Sequence, residues 1–412
     1  MLTVNAERTI GDLKALAEFG KFESGVNRRG FTPEDIAARA WLLERMQEAG
    51  LDAAIDGAGN VTGKTPGCER YIIIGSHSDT VPKGGWLDGA LGVIFGLEIA
   101  RAWVESASSA AIGVKAFSFS DEEGRFNGLF GSSIYSGLKS LEQVVESVAD
   151  DGTVLGDALR KAGYAGRPVA VFDPVRDIAC IEAHIEQGPV LEINDRIIGI
   201  VTEIVGVGRS QVFFFGKAGH AGTVPMAMRK DAAAAAYEFA VKFADFCHQH
   251  CSDSTVWNIG KLRLEPGAYN VTAREAEVFL EYRDGSADIL TGINKAIPEL
   301  AAEAGAKHKV GHKWIPGVNI PPEMMDSNLV DRLEAAAERC NAPRMRMPSG
   351  GGHDCMLFTK KVPTAMLFVP SVGGHSHVVA EDTREADIAL GIEVLGEFVS
   401  DIIENGLPAK SR

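Results

Sequence analysis

The stretch Ile72-Ile73-Ile74-Gly75-Ser76-His77-Ser78-Asp79-Thr80 decides how this chain is read. Three β-branched residues in a row suit a short strand covered on both faces. The chain then leaves on a Gly-Ser turn that can aim His77 into a cleft. Gly84-Gly85 and Asp88 follow, and a second apolar run, 114–119, opens onto Asp121-Glu122-Glu123. Imidazole and carboxylates leaving the ends of two strands are the donor set of a metal-dependent hydrolase. His offers a neutral nitrogen ligand, and Asp and Glu offer anionic oxygens that offset divalent charge. A spare carboxylate beside them can take the proton of an attacking water.

Around this stretch the first 200 residues alternate helical and strand-like patterns. Residues 10–19 and 33–49 are amphipathic, with Thr32-Pro33-Glu34-Asp35 marking a helix start. The runs 71–75, 114–119 and 178–183 are short and apolar, and 88–103 reads as a helix. This βαβ rhythm predicts an α/β layer architecture. From about 208 the texture becomes strand 211–216, helix within 226–250, strands 255–264 and 277–284, and helix 287–302. The β-α-β-β-α order suits a small sheet with two helices on one face. After Met325 the α/β rhythm returns, with helix 328–340, strand 363–369 and helix 383–404. Two domains are expected, 1–207 with 325–412 and an insertion at 208–324. Junctions are expected near Gly206-Val207-Gly208 and Ile315-Pro316-Gly317.

Composition narrows the partners. The 41 basic and 56 acidic residues give a net charge of −15, which disfavours nucleic acid or an anionic membrane as a partner, since both need basic surfaces. No run approaches the roughly 18 apolar residues of a membrane span. The N-terminus has no basic-then-apolar leader, and the six cysteines lack a framework spacing. A cytoplasmic protein is expected.

Each candidate also has a plainer explanation. His77 alone would be a turn histidine bonded to backbone, but Asp79, two residues on, can accept the second imidazole N–H and fix its tautomer. Asp88 could be a helix cap, and Glu122-Glu123 a solvated acidic loop. If the pair is functional, one ligates and the other acts as base. Glu182-Ala183-His184-Ile185-Glu186-Gln187-Gly188-Pro189 and Gly373-Gly374-His375-Ser376-His377 supply further imidazoles. Cys247-His248-Gln249-His250-Cys251 imitates a metal cluster, but consecutive helical residues point around the helix. Gly350-Gly351-Gly352-His353-Asp354 lacks the Lys-Ser/Thr of a phosphate loop, though His353 can line a pocket.

Taken together these motifs resemble the hydantoinase/carbamoylase amidases of the di-zinc aminoacylase and carboxypeptidase superfamily. Further matches are Gly219-His220-Ala221-Gly222-Thr223-Val224-Pro225-Met226, Asn270 and Arg283-Asp284. The resemblance implies a di-metal aminopeptidase-like catalytic domain, a mixed sheet flanked by helices, with an inserted α+β ferredoxin-like lid and dimerisation domain. It implies two divalent ions bridged by Asp88, zinc first, with manganese, cobalt or nickel compatible. One ion would be held by His77, Asp88 and His184, the other by Asp88, Glu123 and His377. Glu122 would be the general base, and His220 would stabilise the oxyanion across a homodimer interface. Gln187, His220, Asn270 and Arg283 would bind a ureido or amide substrate that carries a carboxylate, with Asp79 orienting the ligands. The activity implied is hydrolysis of an N-carbamoyl-L-amino acid to amino acid, CO2 and ammonia. The alternatives are an allantoate amidohydrolase, or an N-acyl amino acid hydrolase or dipeptidase. His375 departs from the usual pattern beside Ser376-His377, and Trp86-Leu87 separates the glycines from Asp88.

Overall fold

The computed structural model describes residues 2–106 and 110–407. The chain folds as two compact units, one formed by residues up to Thr202 and from Met324 onward, the other by Glu203–Glu323.

In the first unit a nine-stranded mixed sheet forms the spine. Its order is Glu323–Met324, Ile198–Ile204, Thr364–Val369, Asp177–Ile185, Arg70–His77, Ile112–Phe119, Val61–Lys64 and Asp52–Ile55, with Arg344–Ser349 pairing onto Ile198–Ile204. The four central strands run parallel, and their ends are level: His77 stands beside Phe119, and His184 beside Phe368. Every residue from Tyr71 to His77 is buried, as the unbroken apolar run predicts for a strand covered on both faces. Helix Ala90–Glu105 is buried from Ala90 to Trp103, which is why that stretch is apolar apart from Glu98 and Arg101, both ion-paired. Helices Ala6–Ala17, Ser327–Arg339 and Glu385–Asn405 keep amphipathic patterns because each buries only one stripe.

The second unit is a four-stranded antiparallel sheet ordered Val256–Glu265, Glu275–Asp284, Gly206–Phe215, Gly311–Ile320. Helices Ala232–His250 and Ala287–His308 pack on one face, against Val212, Phe214, Val278, Leu280 and Tyr282. The chain order is β-α-β-β-α-β with the ferredoxin-like strand arrangement. Two expectations are corrected here. The fourth strand was not anticipated, and Ile315-Pro316-Gly317 lies inside it rather than at a junction. Gly206-Val207-Gly208 begins a strand paired with Tyr282–Asp284, a few residues after the boundary of this unit at Glu203. Among the described residues no helix is long and apolar enough to cross a membrane.

Candidate metal centre

All the expected ligands of the first unit sit at the carboxyl edge of the four parallel strands. That edge is where an open α/β sheet leaves a crevice for ligands. His77 is the last residue of its strand rather than the first of a turn, and His184 is the penultimate residue of Asp177–Ile185. Glu122 and Glu123 lie in the loop after Phe119, and His377 in the loop after Val369. Asp88 does not cap the following helix. Gly89 is the N-cap, and the Asp88 carboxylate turns toward the imidazoles.

Asp88 has the geometry of a bridge. Its Oδ1 lies 3.1 Å from His184 Nε2 and 3.6 Å from His77 Nε2, while Oδ2 lies 2.9 Å from His377 Nε2. Three trios bring their donor atoms within 4.8 Å of one another: His77–Asp88–His184, Asp88–Glu123–His377 and His77–Glu122–Glu123. The first two are the ligand sets implied by the sequence resemblance. His375 is exposed and belongs to none of the trios.

The donors fit divalent cations. His77 Nδ1 lies 3.0 Å from the Asp79 carbonyl and His184 Nδ1 2.9 Å from the Ile185 carbonyl. A carbonyl can only accept, so each Nδ1 carries its hydrogen and each Nε2 keeps the lone pair a metal takes. Glu123 Oε1 is buried with no hydrogen-bond partner, and a cation would satisfy it. Gly89 is also required: at φ +65 it passes so close to His77 that a Cβ would lie 2.5 Å from the ring.

Asp79 acts by a different route from the one expected. It is its backbone carbonyl, not its carboxylate, that orients His77. The carboxylate accepts the backbone N–H of Glu122 at 3.3 Å and of Glu123 at 3.2 Å, so it fixes the acidic loop. Arg39, fully buried, sits 3.7 Å from that carboxylate and pairs with Asp35 at 2.9 Å. Stripping one member of such a buried set costs about 3–5 kcal/mol. Arg39 escaped the sequence reasoning, yet a signal was there: Asp35 and Arg39 are charges on the buried stripe that also holds Ala38, Leu42 and Met46.

Electrostatics follow from packing so many carboxylates out of water. Burial, then the neighbouring Asp354 and Glu123, holds the Glu122 carboxyl well above its ordinary range. Burial and Asp88 push Glu123 up to about 8. Burial opposes ionisation of Asp88, but its hydrogen bonds with His184 and His377 outweigh that and hold it well below the usual range. Burial works against a charged His184, yet Asp88 raises it to about 9. His377, hydrogen-bonded to Asp88, also rises to about 9. On His184, whose Nδ1 already carries its hydrogen, the added proton goes to Nε2, the atom a metal would take.

In the metal-free protein these protons compete with the cation. Below about pH 9 they must be displaced, so affinity should rise with pH, about tenfold per unit for each proton released. Calorimetry in two buffers of different ionisation heat checks this. A proton count of zero at neutral pH would contradict it.

The remaining candidates are placed as follows. Gln187, at φ +60, donates to Asp88 Oδ2 at 3.1 Å, so its amide rests on the bridge. His353 is buried, with Nε2 2.8 Å from Ser349 Oγ and its ring centroid 4.6 Å from that of His184. It forms a wall of the site. Leu87 is buried and Trp86 half-buried.

In the second unit His220 and Asn270 come together. His220 bridges to Val271, and Ala221 N donates to the Asn270 carbonyl at 2.9 Å, leaving both side chains exposed. Arg283 pairs with Glu281 at 2.7 Å, whereas Asp284 is buried and takes hydrogen bonds from Ser252, Thr255 and Ser286. Cys247 is buried in the Ala232–His250 helix, and no metal-binding trio among the described residues includes it.

Comparison with known proteins places the chain in a family. Residues 73–401 match the model of peptidase family M20/M25/M40. The N-carbamoyl-L-amino-acid amidohydrolase of Paenarthrobacter aurescens is 33% identical over 401 residues, covering 95% of this chain and 96% of the relative. The allantoate amidohydrolase of Escherichia coli (strain K12) is 32% identical over 394 residues, covering 92% and 94%. The crystal structure of an amidase of the hydantoinase/carbamoylase family from Burkholderia phymatum superposes with a TM-score of 0.93 at 40% identity, over 99% of this chain and 100% of that one. A chain with this parallel-strand site and these relatives belongs to peptidase family M20/M25/M40, among its hydantoinase/carbamoylase amidases.

Proposed function

We propose that the chain is a metal-dependent amidohydrolase that converts an N-carbamoyl-L-amino acid and water into the amino acid, CO2 and ammonia. The observation that carries this is Asp88, whose two oxygens face different imidazoles with Glu122 and Glu123 alongside. His77, Asp88 and His184 would hold one divalent cation, and Asp88, Glu123 and His377 the other. Bound there, the cations supply Lewis acidity that polarises a scissile carbonyl and acidifies water.

The protein's own groups supply the rest. Glu122 lies with Oε2 3.5 Å from His77 Nε2 and is absent from both Asp88-containing trios. It is therefore free to take a proton from the attacking water and hand it to the leaving nitrogen. His220 donates to the developing oxyanion. Arg283 binds the substrate carboxylate with its planar fork, and Gln187 and Asn270 bond the ureido group. The second unit then acts as lid and dimerisation element, with His220 reaching the site across a homodimer interface. The exposed His220 and Asn270, laced into one loop pair, support that arrangement.

The E. coli relative's name favours a second substrate, allantoate, which shares the ureido group and the carboxylate. Ammonia release from N-carbamoyl-L-amino acids and from allantoate, measured side by side, separates the two. Faster release from the N-carbamoyl compounds is expected. Cleavage of N-acyl amino acids or dipeptides, with no ammonia from either ureido substrate, would overturn both.

A further inference from the structure

Glu381 belongs to none of the motifs above and to none of the metal-binding trios. It is nevertheless 2% exposed and fully bonded. One oxygen accepts the backbone N–H of Leu87 and of Asp88, each at 3.0 Å. The other accepts Ser376 Oγ at 3.1 Å and the backbone N–H of His377 at 3.3 Å. Two of its four donors are thus the main-chain amides of ligands 88 and 377 themselves. The chain makes room for it: a Cβ on Gly85 would lie 1.9 Å from the Glu381 carboxylate. His377 is also held at φ +59, a left-handed conformation that a residue with a side chain keeps only when its surroundings impose it.

A carboxylate that served only to close its own loop would need the Ser376 and His377 donors alone. Reaching Leu87 and Asp88 as well joins segments 293 residues apart in sequence. Those two segments carry the bridge and the late imidazole, the donors that must be in register for the Asp88–Glu123–His377 pocket. We propose that Glu381 is a positioning residue that sets Asp88 and His377 for the second metal before any ion arrives. It touches neither cation nor substrate. The proposal rests on the two-metal reading of the site.

Glutamine tests it closely, because the amide keeps the volume but turns an NH2 toward backbone donors. Chelator-stripped wild type and Glu381→Gln should be titrated with zinc by calorimetry, with the melting temperature of each stripped protein recorded. Wild type should take up two ions. In Glu381→Gln one binding step should weaken about 10–100-fold, and the other, which shares only Asp88 with it, by less. A purely structural role would lower the melting temperature and leave both steps in place. Wild type that binds two ions while Glu381→Gln binds both within about twofold overturns this proposal alone. Wild type that binds none overturns the two-metal reading and the proposal with it. If Glu381→Gln does not fold, Glu381→Asp, which keeps the charge but shortens the reach by one methylene, decides by the same criterion: weakening of one step about 10–100-fold supports the proposal, and unchanged binding overturns it.

Discussion

Glu122→Gln should turn substrate over about 10²–10⁴ times more slowly than wild type while keeping its metal. The amide matches the carboxylate in size, and the loop that carries it is fixed from outside, by the Asp79 carboxylate on the backbone of residues 122 and 123. Geometry is therefore preserved and only the capacity to accept a proton is lost. The outcome also separates the two adjacent glutamates. Glu123 occurs in two of the three donor trios, one of them with the bridge, whereas Glu122 occurs only in the trio that lacks Asp88. Steady-state kcat with metal content measured on the same sample is the check. Full activity would remove Glu122 from the proton path, and loss of an ion would make it a ligand instead of a base.

Asp88→Ala should be the more drastic change, because it takes a donor from both pockets at once. Metal content should fall from two ions per chain to none surviving gel filtration, and turnover should vanish. Two further effects follow from the same carboxylate. Without its charge, His184 and His377 should fall from about 9 toward ordinary imidazole basicity, since Asp88 makes the largest contribution that raises each. Wild type should gain thermal stability with added metal, about 4 kcal/mol at a thousandfold excess over the dissociation constant. Asp88→Ala should show no such gain. Retention of one ion at wild-type affinity would mean that Asp88 serves a single pocket.

Most of the catalytic unit was legible in the sequence because its signals are local. A both-sides-buried strand is an apolar run, and a ligand at a strand end follows that run directly, as in 72–77 and 181–184. The Gly311–Ile320 strand was missed because Pro316 and Gly317 look like breakers. It is an edge strand, where a residue without an N–H is tolerated, and its pairing register shifts just after Pro316. Asp79 was legible as a helper of the ligands but not in its action, because sequence spacing cannot tell a carbonyl from a carboxylate as the acceptor. Glu381 left no local trace at all. Its partners Leu87 and Asp88 come from the far end of the chain, and only the fold reveals them.

The acceptors that hold His77 and His184 are main-chain carbonyls. A carbonyl of the backbone is present whatever side chain a mutation installs at residue 79 or 185. The acceptors that orient these two ligands are thus independent of the side chains at 79 and 185, although Gly89 must stay without a Cβ for His77. Glu381, by contrast, does its holding with a side chain, and a single codon change removes it. The Asp88–His377 side has no such insurance, so loss of function by mutation should concentrate there.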